Sequence, residues 1–361
     1  MNHICTWLCA DKKGEESVFP QSAGQKSSSQ SHQNIYWRCL IVFFITSRRF
    51  NKKEKHILFT NVDQLPVIEG KKVADILSDL EVDVVYTDFK YKTPKGYHGA
   101  FQNQFYEFSI LEYIAKNNAN PNDQYLIVDS DCMFIKPALR LFNEAEKEGF
   151  ISFEIDSPAD YNINGLSRRQ MQKVFSELLG REIKEIPSYH LGEFLLCSVR
   201  NVRKIYEDFL ELWPQLMQRH ALGLPKLNEE AHTLSYLYYK NNLHPSANNT
   251  FIKRIWTNPL FYRNVSSSDV NLTIWHLPAE KTFGFVKLYD FFIHKSFRYG
   301  ATIPTSQFIE IVQEAVTIPY LPVVRKFNYY TISCYKAFMK KVRNFSLSNV
   351  RLKLMPNPAR I

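Results

Sequence analysis

The sequence predicts an α/β protein with a mixed, mainly parallel sheet flanked by helices, followed by a helical C-terminal extension. Three observations carry this expectation. Short apolar runs rich in β-branched and aromatic residues alternate with longer segments of helical periodicity over the first three-quarters of the chain. One such run, "DQYLIVDSDCMFIKP" at 123–137, ends in two carboxylates, Asp129 and Asp131, one residue apart. The chain shows no internal repeat, and alternation of this kind implies a mainly parallel sheet covered by helices on both faces.

The elements follow in order. "HICTWLCA" (3–10) reads as the first strand, and the polar stretch at 20–33 as a mobile loop. "NIYWRCLIVFFITSRRF" (34–50) has the length and density of a buried helix. "KHILFTN" (55–61) and "VDVVYTDF" (82–89) read as strands with a helix at 70–80 between them. In 99–117, Phe101, Phe105, Phe108, Leu111 and Ile114 stand three or four apart, a helical stripe. The D-x-D strand comes next, then a strand at 149–156, a helix between Gly165 and Gly180, and a strand at 188–198. A long helix at 199–220 is expected to end or kink at Pro214. Residues 228–242 read as a helix with an acidic start, and 270–285 as a strand leading into a loop with His276 and Lys281.

With 45% hydrophobic and 14% aromatic residues the chain has ample material for a core. From Ala315 to Ile361 there are nine Lys or Arg and no Asp or Glu, which equals the whole net charge of +9. Residues 1–314 are therefore neutral, and affinity of the whole protein for nucleic acid is not expected. The segment at 325–345 arranges Phe327, Thr331, Cys334, Phe338 and Val342 on one helical face and Lys336, Lys340 and Arg343 on another. Such a basic, aromatic amphipathic helix suits an anionic membrane surface. The domains expected are a catalytic unit at 1–300 and this basic helical extension at 301–361. Six cysteines form no C-x-x-C pair and lie mostly in apolar segments, so reduced core thiols and a cytoplasmic protein are expected, peripheral on the inner face of a membrane. No secretory signal is expected, because the opening apolar run meets charge at once. The apolar run at 39–46 falls short of the ~18–20 residues that span a bilayer.

Two carboxylates at the end of a buried strand are costly unless a cation meets them. Either a basic side chain or a metal must do so, and in open α/β sheets ligands bind at the carboxyl ends of the strands. The late loop offers both an imidazole, His276, and an ammonium, Lys281.

The order of these parts resembles the nucleotide-sugar glycosyltransferases of the A-type (GT-A, Rossmann-like) fold, nearest the glycogenin-like and bacterial lipopolysaccharide galactosyltransferase group. "YLIVDSD" resembles its D-x-D strand, and "YHLGEFLLCSVRNVRKIYEDFLELW" its strand and helix that open with N-A-G-V. "NEEAHTLSYLY" resembles its acidic D-Q segment, and "WHLPAEKTF" its H-x-x-G-x-x-K loop. Here Lys281 follows His276 by five residues rather than six, the intervening Gly is absent, His190 stands for the Asn, and the acidic pair is Glu229-Glu230. The resemblance implies Mn²⁺ or Mg²⁺ held by Asp129, Asp131 and His276, with Lys281 on the donor phosphates. It implies a nucleotide-sugar donor, with UDP as its nucleotide, a glycan or lipid-linked glycan acceptor, and retention of configuration.

The chemistry agrees with the ligand types. Hard carboxylate oxygens with an imidazole fit Mn²⁺ or Mg²⁺ better than Ca²⁺. The nucleoside is expected over the ends of the first strands, near Ala10, Asp11 and Asp88, with Ser130 and Gln104 also on the donor side. Gly192 would let backbone approach the acceptor, whose hydroxyls His190 or Glu193 would meet. Glu229, Glu230 or Asp156 would serve as base or positioning carboxylate. The rivals are a sugar-phosphate nucleotidyltransferase, for which "CADKKGEES" is a poor phosphate loop, and a non-catalytic nucleotide- or glycan-binding module.

Overall fold

The computed structural model describes residues 1–19, 25–244, 250–323 and 331. The basic segment at 325–345 lies outside these residues apart from Thr331. The chain begins with strand β1 (Asn2–Leu8), then helix α1 (Gln30–Phe50) and strand β2 (Lys55–Thr60). A tight hairpin, β3 (Val67–Ile68) and β4 (Lys71–Lys72), precedes α2 (Val73–Asp79) and β5 (Val82–Tyr86). A 3-10 turn at Gln102–Phe105 opens α3 (Tyr106–Asn117), which leads to β6 (Gln124–Val128) and β7 (Cys132–Phe134). Then come α4 (Leu139–Glu148), β8 (Phe150–Ile155), α5 (Arg168–Leu179) and β9 (Tyr189–Ser198). The later elements are α6 (Val199–Ala221), α7 (Glu230–Lys240), β10 (Ile252–Arg254), the pair β11 (Thr257–Asn258) and β12 (Tyr262–Arg263), β13 (Ile274–His276), α8 (Gly284–Asp290) and α9 (Thr305–Val316).

The central sheet has six strands in the order β5-β2-β1-β6-β9-β8. Its β5, β2, β1 and β6 run parallel, and β9 is antiparallel to both of its neighbours, so the sheet is mixed and mainly parallel as expected. The parallel strands are near-continuous apolar runs because helices cover them. α1 packs against β1 and β7, and α6 and α7 pack against β9. Between α3 and α6, Phe108 and Phe209 stack with ring centroids 3.8 Å apart.

Local chemistry sets the helix ends. α1 begins at Gln30, not after residue 33, because the Ser29 side chain accepts from the backbone N–H of His32 and caps the helix. Residues 30–33 therefore belong to the helix rather than to the polar loop. α5 is opened by a capping box between Ser167 and Gln170. α6 does not end at Pro214 but continues through it to Ala221. Its buried Val202, Ile205, Phe209, Leu212 and Leu216 hold both halves on the core, which outweighs one missing donor. Phe101 leaves the helical stripe, since its φ of 59° places it in a left-handed turn before α3. One core cluster runs from Ile4 to Ile318 and includes Phe308, Val312 and Val316 of α9. Cys5, Cys9, Cys39, Cys132 and Cys197 are buried free thiols. No helix among the described residues is long and apolar enough to cross a membrane.

Candidate metal and donor site

A small three-stranded sheet, β10-β13-β7, lies at the carboxyl end of β6 and assembles the site. After β6 the chain turns through Asp129-Ser130-Asp131, closed by the Cys132 N–H donating to the Asp129 carbonyl at 3.1 Å. Antiparallel pairing of β13 with β7 sets His276 opposite Cys132. Parallel pairing of β10 with β13 sets Arg254 opposite His276. Residues 131, 254 and 276 thus become neighbours through register alone. The Leu277 N–H also donates to the Asp131 carbonyl at 3.0 Å, which pins the two ligand-bearing segments together.

The carboxylates of Asp129 and Asp131 and the imidazole of His276 each offer an atom, all within 4.8 Å of one another. His276 Nε2 lies 3.3 Å from Asp131 Oδ2 and 4.0 Å from Asp129 Oδ2. Lys281 Nζ is 2.8 Å from Asp131 Oδ2 and lies over the Tyr36 ring. These two cations meet the buried Asp131 carboxylate, while among the described residues the Asp129 carboxylate on the other side of the group has no cation closer than His276 Nε2 at 4.0 Å. Two carboxylates and an imidazole converging in this way are a donor set that fits a divalent cation of the Mn²⁺ or Mg²⁺ kind.

The electrostatics follow from the packing. Burial, helped by the Asp131 charge, pushes Asp129 up to about 6. Burial works the same way on Asp131, but the Lys281 and His276 charges outweigh it and hold that carboxyl well below the usual range. Burial opposes the charge on His276, and Asp131 and Glu193 overcome it to raise the imidazole to about 9.

A cleft of about 320 Å³ opens on this group. Asp11, Ser27, Tyr36 and Gln104 line it with the ion-site residues, and Gly192, Glu229, Glu230 and Trp256 lie along the same cleft. The Gln104 side-chain amide lies against both oxygens of Glu230, and with its nitrogen turned toward them it donates to both, at 2.9 and 3.1 Å. Tyr189 donates to Glu229 Oε1, and Asn164 to its Oε2. Burial pushes Glu229 up to about 7, with those two hydrogen bonds acting against it. Glu230 goes well above the carboxylate range through burial and the Glu229 charge. The two glutamates therefore do not act as solvated charges at a helix start; α7 begins with a buried acid pair.

The remaining candidates separate. Ser130 is buried and lines the cleft. The Asp11 carboxylate accepts from the Ser17 N–H at 2.8 Å and the Ser27 hydroxyl at 2.6 Å, which ties the loop after β1 to its end. Ala10 exchanges backbone hydrogen bonds with the Asn61 amide and lines a neighbouring cavity of about 410 Å³ shared with Asp11 and Lys92. Asp88 and Asp156 are exposed and line neither cavity. His190 points away from the cleft. Strand alternation turns it to the opposite side from Tyr189 and Leu191, where Nδ1 meets the Ser152 hydroxyl at 2.7 Å and the ring packs on Tyr238. Glu193 is in the cleft, but Arg254 and His276 occupy its carboxylate. Arg254 was not legible in the sequence, because it lies in a three-residue strand with no motif around it.

No protein-family model matches the chain, and no curated protein sequence matches it. Among solved structures, the backbone is similar to mouse xyloside xylosyltransferase 1 in its apo form, with a TM-score of 0.44, 12% identity, and 78% of this chain and 99% of that chain covered. It is also similar to the galactosyltransferase LgtC in complex with donor and acceptor sugar analogs, with a TM-score of 0.43, 11% identity, and 89% and 98% covered. An active-site mutant of LgtC gives a TM-score of 0.45 at 10% identity, with the same coverage.

Proposed function

We propose that the protein is a metal-dependent GT-A-type glycosyltransferase that moves a sugar from a nucleoside diphosphate, read as UDP, to a glycan or glycolipid acceptor. The observation that carries this reading is the convergence of Asp129, Asp131, His276 and Lys281 at the carboxyl end of β6, in one cleft. A bound divalent cation would supply Lewis-acid stabilisation of the departing diphosphate.

The chain's own groups account for the rest. Asp129, Asp131 and His276 hold the cation. Lys281 places a second positive charge beside the ion site, where it stabilises charge developing on the leaving group. Glu230, kept protonated by burial and held by Gln104, hydrogen-bonds sugar hydroxyls as a neutral acid. Glu229, titrating near neutrality, is placed to accept or return a proton on the acceptor side, or to support positive charge at the anomeric carbon. The nucleoside lies toward Asp11 and the cavity beside Ala10. The cationic segment at 325–345 holds the enzyme at an anionic lipid surface, and retention of configuration is the outcome we assign.

The test is release of nucleoside diphosphate from a panel of nucleotide sugars, with Mn²⁺ or with chelator, for the wild type and Asp131→Asn. The expected result is turnover of one donor class, lost with chelator and in the variant. Turnover that ignores both would overturn the reading.

A further inference from the structure

Glu193 is a buried carboxylate that no part of the transfer chemistry above requires. It sits in an irregular stretch of β9. The pairing of β8 with β9 runs up to Ser152↔Leu195 and resumes at Phe153↔Leu191, so Gly192, Glu193 and Phe194 have no partner in β8. Such a bulge re-aims side chains next to functional sites. Here it turns Glu193 into the cleft, while its carbonyl accepts the Asp129 N–H at 3.1 Å.

Both carboxylate oxygens are used. Oε1 accepts from Arg254 Nε at 2.7 Å and from His276 Nδ1 at 3.0 Å, and Oε2 accepts from Arg254 Nη2 at 2.5 Å. The guanidinium grips the carboxylate by its planar fork, which fixes the carboxylate plane in a way an ammonium would not. An ionised carboxylate only accepts, so His276 Nδ1 must carry a hydrogen. The lone pair of the neutral ring is then confined to Nε2, the nitrogen that faces Asp131 and Asp129. Arg254 also cancels the Glu193 charge, so the pair orients the imidazole without adding net charge beside the ion site. It links β9 of the central sheet to β10 and β13 of the small one.

We propose that Glu193, locked by Arg254, is a positioning residue that holds His276 with Nε2 toward the aspartates and thereby sets the affinity of the ion site. This rests on the metal reading above. It also removes Glu193 from the groups available to an acceptor hydroxyl, since its oxygens are already engaged.

The experiment is a titration of the full chain with Mn²⁺ alone, following free Mn²⁺ by electron paramagnetic resonance. The proteins are the wild type, Glu193→Leu, Glu193→Gln, His276→Ala, and each Glu193 variant combined with His276→Ala. Loss of such an outer partner weakens a metal site about 10- to 100-fold. We expect that loss for Glu193→Leu, and a smaller one for Glu193→Gln, whose amide oxygen still accepts from Nδ1. In the His276→Ala background either Glu193 substitution should cost clearly less than it does with His276 present, leaving only the effect of the uncompensated Arg254 charge. Wild-type affinity in both single variants, or an undiminished cost in the His276→Ala background, overturns the proposal while leaving the ion site itself intact. If Glu193→Leu does not fold, the Gln cycle decides by the same criterion. Absence of Mn²⁺ binding by the wild type overturns the metal reading and this proposal together, which separates the two failures.

Discussion

The buried acid pair at the start of α7 makes stability fall as pH rises, and Glu229→Gln tests this. A carboxyl that ordinarily titrates at 4.5 is pushed up here to about 7, chiefly by burial, with the Tyr189 and Asn164 hydrogen bonds restraining the shift. At about 1.4 kcal/mol per tenfold change in the proton equilibrium, the folded chain binds this proton more tightly than the unfolded chain by roughly 3 kcal/mol. The folded state therefore holds more protons than the unfolded state between the two titration points. Its advantage is complete below 4.5 and is lost as pH rises through about 7. Glutamine keeps an oxygen for Tyr189 and cannot ionise. In urea unfolding at pH 5 and pH 8 with chelator present, the wild type should lose about 2.5 kcal/mol more than the variant between the two pH values, the part of the shift that lies above pH 5. Glu230 contributes a slope of the same sign in both proteins. Parallel pH slopes for wild type and variant would refute the reasoning.

Other perturbations test other parts of the account. A Cβ on Gly192 would stand 2.5 Å from Glu230 Oε1, and Gln104 holds that carboxylate in place. Gly192→Ala should therefore cost about 1–3 kcal/mol in denaturant unfolding, and no loss would show that Glu230 swings aside freely. Lys281→Met should weaken binding of a nucleoside diphosphate about 10- to 100-fold by calorimetry, the scale of a lost charge-assisted hydrogen bond. Unchanged affinity would remove Lys281 from the phosphate site. Asn51 accepts from the Ala138 N–H at 2.7 Å and donates to the Ser47 carbonyl at 3.2 Å, both buried. Asn51→Ala should cost about 1–3 kcal/mol by stranding that N–H, as read by chemical denaturation. Replacing Lys336, Lys340 and Arg343 by Gln should reduce sedimentation with phosphatidylserine vesicles and leave zwitterionic vesicles unaffected; equal binding to both would refute an electrostatic membrane contact.

The strands of the central sheet were legible because each is a buried apolar run bounded by turn residues, and α1 because its run is too long for a strand. What escaped was short or set by pairing. β7, β10 and β13 are three residues each and carry no period, yet their register brings Asp131, His276 and Arg254 together. α4 was missed because its buried Leu141, Phe142 and Ala145 are sparse among charged residues. The D-x-D and the His276–Lys281 loop were legible as ligand types in a plausible order. Asp88, expected beside the nucleoside, and Asp156, expected as a base or positioning carboxylate, have the right residue type near strand ends, but both side chains are exposed and line neither cavity. His190 was singled out for standing in a motif position, while the period of two in β9 turns it to the other side of the strand. The role of Glu193 needed the bulge, which no sequence period announces.

The most direct test of the central claim is calorimetry of UDP binding to the full chain with and without Mn²⁺, for the wild type and Asp131→Ala. The account predicts binding that requires Mn²⁺ and is lost in the variant. UDP binding of equal strength without Mn²⁺, or retained in Asp131→Ala, would contradict it.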